Sequence, residues 1–253
     1  MRPTQSAGGS PGDGNDPARS ILITGASRGI GLMLAKHYLA EGRRVIGCSR
    51  TPSAVPAEPG QGLYRHFQVD ITDEHAVRSM MGSIRRQLDG FGTLVNNAGL
   101  FSAELGMLAS AASLERVLAT NVVGNFIVTR EALKMMKAAG FGRVINISSI
   151  AVPIEETGNG FYAASKIALD RITRQMAREL PGTNITVNTV GVSFVQGSSM
   201  YERMKPEALE RYRRRMLNGA PITVKELAYA IDFFVGDARG TLNGQALYFG
   251  GPS

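Results

Sequence analysis

The chain has 253 residues, 43% of them hydrophobic, a mean hydropathy of −0.04, a formal charge of +7 and an isoelectric point near 9.8. That length suits one large α/β domain with a buried sheet. No run approaches membrane-spanning length, which argues against a membrane, and a single cysteine, Cys48, excludes an intrachain disulfide and makes a reducing, cytoplasmic setting the expectation.

In chain order, the first eighteen residues are rich in Gly, Pro, Ser and Asp and lack the apolar core of a signal peptide. They are expected to form a disordered tail (1–18) ahead of one domain (19–253). ILITG then reads as a strand, a glycine turn follows, and an amphipathic helix runs to Gly42. RVIGCS and LYRHFQVD read as strands, 74–88 as a helix, TLVNNAG as a strand and 114–139 as one helix. RVINISS, a helix from Tyr162 to Leu180, ITVNTV, a basic segment, a helix over 225–234 and the strand QALYFGG complete the pattern. Apolar runs alternating with helices of ten or more residues imply a parallel sheet covered on both faces.

Two places carry chemistry. In ILITGASRGIG, a strand, a glycine-rich turn and a helix start follow one another, so Gly25, Gly29 and Gly31 let the backbone turn tightly and let an anion approach the helix N-terminus. In FYAASKIALD, Tyr162 and Lys166 lie at i and i+4 on one helix face, with Ile167, Leu169 and Ile172 expected to pack inward. A phenol titrates near 10, so it needs a neighbouring positive charge to work as an acid or base at neutral pH. Ser149, thirteen residues before Tyr162 at the end of a strand, adds a hydroxyl, whereas strand alternation points Ser148 the other way.

Together with Asp70 of VDITD, LVNNAG (94–99) and Asn121 of TNVVGNF, these motifs resemble the short-chain dehydrogenase/reductase family over nearly all of 21–251, with carrier-protein and polyketide ketoreductases as the members most similar in kind. The resemblance implies a single-domain, Rossmann-type, doubly wound α/β fold of about seven strands. It also implies roles. Tyr162 would protonate a substrate carbonyl oxygen, Ser149 would hydrogen-bond that oxygen, Lys166 would lower the Tyr162 pKa and hold the nicotinamide ribose, and Asn121 would anchor a water leading to Lys166. The glycine turn with Ser27, Arg28 and Ile30, then Asp70 and Ile71 at the adenine, Asn97, Ala98 and Gly99 along the ribose, and Val195 further on would line the cofactor.

Charge bears on which cofactor. The second strand ends in Cys48-Ser49-Arg50 with no carboxylate to bond the ribose hydroxyls, and Arg28 offers a second guanidinium. Both suit a 2′-phosphate, so NADPH/NADP+ is expected. One departure stands out: after ITVNTV the family's Pro-Gly pair is Val192-Ser193, and its threonine position is Gly197. Ser193, Ser198 or Ser199 could replace the lost hydroxyl.

The stretch 196–220 falls where the family builds a substrate lid, with an apolar set (Met200, Tyr201, Met204, Leu209, Tyr212, Met216, Leu217) that either meets a bulky substrate or packs the helix down. Its basic residues Arg211, Arg213, Arg214 and Arg215 suit an acyl carrier protein or coenzyme A thioester, or a solvated face. No aromatic-interleaved basic motif supports nucleic-acid binding. The expected activity is reversible NADPH-dependent reduction of a small-molecule carbonyl. The alternative, an NADP(H)-binding sensor or scaffold, rests only on the altered 192–197 stretch. The resemblance implies pairing through the helices at 114–139 and 162–180, whose apolar positions Leu118, Val122, Phe126, Val128, Ala164, Ala168 and Ile172 exceed what their sheet side must cover, so a homotetramer or dimer is expected.

Overall fold

A computed structural model describes residues 20–55, 63–237 and 240–251. The expected tail, 1–18, lies outside them. Seven parallel strands form one sheet in the order β3-β2-β1-β4-β5-β6-β7. They are β1 (Ser20–Thr24), β2 (Arg44–Ser49), β3 (Tyr64–Gln68), β4 (Thr93–Asn96), β5 (Gly142–Ser149), β6 (Ile185–Val192) and β7 (Ala246–Tyr248). The last strand is shorter than QALYFGG suggests, because Gly250 and Gly251 adopt positive φ values of 82° and 57°.

Single-residue alternation along the strands sorts the core into two layers. Leu22, Ile46, Leu94 and Val144 face helices α2 (Glu74–Leu88) and α4 (Asn125–Ala139), meeting Val77, Met81, Val128 and Met136. Ile21, Ile23, Val95 and Ile145 face α1 (Gly29–Ala40) and α9 (Val224–Val235), meeting Leu34, Leu227 and Ile231. Each such side chain fully removed from water contributes about 1.5–3 kcal/mol. Val128, expected at a subunit interface, is therefore a core residue. Ile167 is 51% exposed rather than turned inward, because it lies off the helix stripe occupied by Tyr162, Lys166 and Leu169.

The helix expected over 114–139 is present but carries a π-helical insertion. A helix α3 (Ala111–Leu118) runs into a π-helical turn (Ala119–Gly124) before α4 begins. Asn125 explains the insertion: its Nδ2 donates to the Asn121 carbonyl at 2.9 Å and to the Ala98 carbonyl at 3.1 Å, inserting a side chain into the backbone ladder. At Gly124 any Cβ would lie 2.8 Å from Ile71 Cγ1, so the turn packs flush against the loop that leads from β3 into α2.

Short helices α5 (Ala151–Ile154), α7 (Ser199–Glu202) and α8 (Pro206–Arg213), with the long α6 (Gly160–Arg178), gather at the ends of β5 and β6. Strand order reverses between β1 and β4, and the crevice beyond the carboxyl ends of such strands is where open α/β sheets take ligands.

Candidate active site

The cradle at the end of β1 is built from backbone. Gly25 and Gly29 hold φ values of 70° and 56°, a region costly for any residue with a Cβ. A Cβ on Gly25 would approach Ala98 Cα at 3.0 Å, and one on Gly31 would come within 2.5 Å of Asn97 Nδ2, so both are also packing requirements. Gly29 instead faces open space. Thr24, which the motif reading did not single out, ties the turn to the end of β4: its Oγ1 accepts from Asn97 N (3.0 Å) and Ala98 N (2.9 Å), and Asn97 Nδ2 donates to its carbonyl.

Arg28 occupies the N-cap of α1 without any side-chain cap, leaving the first N–H groups of that helix to an anion. Thr51 Oγ1 donates to Ser27 Oγ at 3.0 Å, which draws the residues beside Arg28 and Arg50 together. Both arginines are exposed, and neither makes an ion pair among the described residues. An uncapped helix start flanked by two unengaged guanidiniums fits a phosphate-bearing dinucleotide. Asp70 Oδ1 accepts from Thr72 N and Thr72 Oγ1, forming a turn into α2. Ile30 and Ile71 pack against the two core layers, so a ligand would meet their backbone or edges rather than free side chains.

Ser149, Tyr162, Lys166 and Asn121 lie near one another in the fold. All four are at least nine-tenths buried. Burial pushes the Tyr162 phenol above its ordinary value, opposed by hydrogen bonding to Ser149. Lys166 Nζ stands 5.8 Å from the Tyr162 ring centroid and donates to the Ile147 carbonyl at 2.7 Å. Burial pulls the ammonium down to about 8, with Asp170 acting in the opposite sense. Asn121 uses its side chain structurally: Nδ2 donates to Leu100 O and Ser165 Oγ, both at 2.9 Å, and Oδ1 accepts from Leu100 N at 2.7 Å. Gly99 sits over this cluster, where a Cβ would be 3.3 Å from Asn121 Oδ1 and 3.6 Å from Lys166 Nζ.

Beyond β6, Val195 is buried in the core and bridges to Ile222, so only its backbone could serve a ligand. Gly197 holds φ 75°, which a threonine could adopt only with strain, and this accounts for the missing hydroxyl there. Among the substitutes, Ser198 caps α7 by accepting from Tyr201 N, whereas the Ser193 hydroxyl is buried without a partner. The 196–220 segment packs down: Tyr212 and Met216 join Ile150, Ile154 and Phe194 in a third apolar cluster, while Met200 and Leu217 remain exposed. Three polar contacts tie it to the segment after Ser149: Asn159 Nδ2 donates to the Tyr212 hydroxyl, Arg211 Nε to Glu156 at 2.8 Å, and Arg215 Nη1 to the Ile154 carbonyl at 2.7 Å. Much of the basic cluster is therefore engaged within the chain.

Residues missed by sequence reasoning are Thr24, Ser165, Phe101, whose ring packs edge-on to Tyr162 at 5.1 Å, and Asp170, one turn past Lys166. Asp170 was legible as the next position of the Tyr162-Lys166 stripe; the others needed the fold.

The chain matches the short chain dehydrogenase family over residues 19–208. It is 28% identical over 236 residues to the 3-oxoacyl-[acyl-carrier-protein] reductase FabG of Aquifex aeolicus, covering 91% of this chain and 95% of that one. To the chloroplastic NADPH-dependent aldehyde reductase 2 of Arabidopsis thaliana it is 29% identical over 255 residues, with coverage of 92% and 93%. Among solved structures, NAD+-bound xylitol dehydrogenase superposes with a TM-score of 0.84 at 24% identity (92% and 98% covered), and ElxO with NADP bound with 0.82 at 23% (91% and 96% covered); these establish the fold. With three quarters of its length matched and a parallel sheet of the same architecture, the chain belongs to the short chain dehydrogenase family and is an oxidoreductase.

Proposed function

We propose that the protein reduces a ketone or aldehyde carbonyl to the alcohol with NADPH, through Tyr162, Ser149, Lys166 and Asn121. The observation that carries the reading is the convergence of a buried phenol, hydroxyl and ammonium at the sheet's switch point, beside a cradle flanked by the unengaged Arg28 and Arg50. When bound, the dinucleotide supplies a hydride. Ser149 holds the carbonyl oxygen, and the Tyr162 hydroxyl gives that oxygen its proton. Lys166 supplies positive charge beside the donor, and the π-helical turn holds Asn121 so that its side chain fixes Leu100 and Ser165 around the lysine.

Arg28 and Arg50 favour the 2′-phosphate, in keeping with the NADPH-dependent aldehyde reductase among the relatives. Ser193, with its unpartnered hydroxyl, and the backbone of Val195 would meet the nicotinamide half. Phe101, exposed and edge-on to Tyr162, gives the substrate side an aromatic wall, which suits a hydrophobic carbonyl compound, and the FabG relatives make a carrier- or CoA-linked acyl chain a reasonable probe. We assign the protein to the cytoplasm as a homodimer or homotetramer, built on the exposed Val123, Phe126 and Ile167 of neighbouring helices. The test is NADPH absorbance with purified protein over a panel of aldehydes, aromatic ketones and 3-oxoacyl thioesters. Turnover that vanishes in Tyr162→Phe is expected; NADPH binding without turnover of any member would overturn the reading in favour of a binding protein.

A further inference from the structure

Lys166 is not the last charged group on its helix stripe. Asp170 follows at i+4, 94% buried, with Tyr248 of β7 donating to its Oδ2. Its Oδ1 is buried without a partner of ordinary hydrogen-bond geometry. Around the carboxylate stand Lys166 and Arg174 on its own helix, Ser148 on β5, Thr189 on β6 and Tyr248 on β7. Behind it a cavity of about 160 Å³ opens between α6 and β7, lined by Asp170, Thr173, Arg174, Gln245 and Tyr248 among others.

A carboxylate in such a place costs free energy unless a charge or donor holds it, and burial does push its proton affinity up. The converse holds for Lys166, whose own hydrogen bond goes to a neutral carbonyl, that of Ile147. Asp170 is the carboxylate that opposes the desolvation of this ammonium. For the carboxylate, hydrogen bonding from Tyr248 and Ser148 comes first and the charge of Lys166 adds to it. Tyr248 fixes the carboxylate in place: its ring presses on Gly191, where even a Cβ would collide with it.

We propose that Asp170 is a positioning residue for Lys166, its carboxylate, anchored by Tyr248, supplying the counter-charge against which the buried ammonium is held. The inference rests on Lys166 being the charge beside the proton donor. It places a fourth member on the stripe Tyr162, Lys166, Asp170 and ties the substrate side of the sheet to its β7 edge.

The experiment is a lysine-selective NMR titration of the full chain, with the Lys166 signal identified by its loss in Lys166→Met. In Asp170→Asn the Lys166 midpoint moves to lower pH by about one unit, the scale of losing one close opposite charge. Asp170→Glu returns it toward the parent value. Tyr248→Phe keeps the ring over Gly191 but removes the donor, and it moves the midpoint in the same direction by less; this variant serves if the asparagine variant does not fold. An unmoved midpoint in whichever of these two neutralising or unanchoring variants folds overturns the proposal, because a purely structural role would lower the melting temperature alone. The titration needs no substrate, so its failure is separable from that of the proposed reduction, which Tyr162→Phe turnover decides. With a substrate in hand, the alkaline limb of kcat shifts down in Asp170→Asn in step with the NMR midpoint.

Discussion

Lys166 Nζ donates to the carbonyl of Ile147 at 2.7 Å, which holds the ammonium on the β5 side of α6, 5.8 Å from the centre of the Tyr162 ring. One strand-end carbonyl thus fixes where the positive charge sits relative to the phenol. Because both groups are buried, that charge acts at reduced dielectric, where a few ångströms decide its effect.

Removing the phenol hydroxyl tests the proton donor. Tyr162→Phe keeps the ring and its edge contact with Phe101, so turnover should fall by about 10³-fold with NADPH affinity nearly unchanged. Steady-state kinetics beside a fluorescence titration of NADPH reads both; near-normal turnover would assign the proton to another group.

Cofactor choice turns on two guanidiniums. Arg28→Ala with Arg50→Ala should weaken NADPH by about 3 kcal/mol, roughly 100-fold, and leave NADH almost untouched, since only the 2′-phosphate loses its charge-assisted bonds. Equal losses for the two cofactors in calorimetry would remove the 2′-phosphate assignment.

The pH dependence of Lys166 has opposite signs for activity and for stability. Its folded pKa is lowered by burial to about 8 from an ordinary 10.5, so reduction should decline above pH 8 as the charge is lost. Over the same range the unfolded chain binds more protons at this lysine than the folded one. Its contribution therefore rises with pH from about 8 to 10.5, by up to about 1.4 kcal/mol per unit. Cys48, pushed up to about 12 by burial, opposes this from its ordinary 9.0 upward, leaving pH 8 to 9 as the clean window. Chemical denaturation there should show a steeper stability gain in the parent than in Lys166→Met; identical slopes would mean that the lysine is not depressed.

The glycine turn has a stability cost of its own. Gly31→Ala would press on Asn97 Nδ2 and on the Gly25 backbone, overpacking a junction with no slack, and should cost about 1–3 kcal/mol. A melting temperature within a degree of the parent would show that the junction can give.

Assembly can be read directly. Light scattering should show a dimer or tetramer, and Phe126→Glu with Ile167→Glu should dissociate it, because both side chains are exposed apolar groups on α4 and α6. A monomeric parent chain would defeat the proposal.

Strand and helix order, the glycine turn and the Ser149-Tyr162-Lys166 trio were legible from sequence alone, because alternating apolar runs and i to i+4 spacing are local properties of the chain. The unengaged Arg28 and Arg50 could be named the same way. Other features arose only once distant segments met. Asn125 widened one turn of a helix that periodicity reads as uniformly α-helical, because its side chain found the Ala98 carbonyl, 27 residues earlier. Val128 and Ile167 exchanged their expected places, since helix rotation against the sheet is set by packing across the whole face. The apolar residues around Tyr212 closed onto Ile150 and Phe194 through contacts with Asn159 and Glu156 that no spacing encodes. Asp170 lay in plain sight beside Lys166, yet only β7, arriving from the far end of the chain with Tyr248, turned a helix carboxylate into a buried and anchored one.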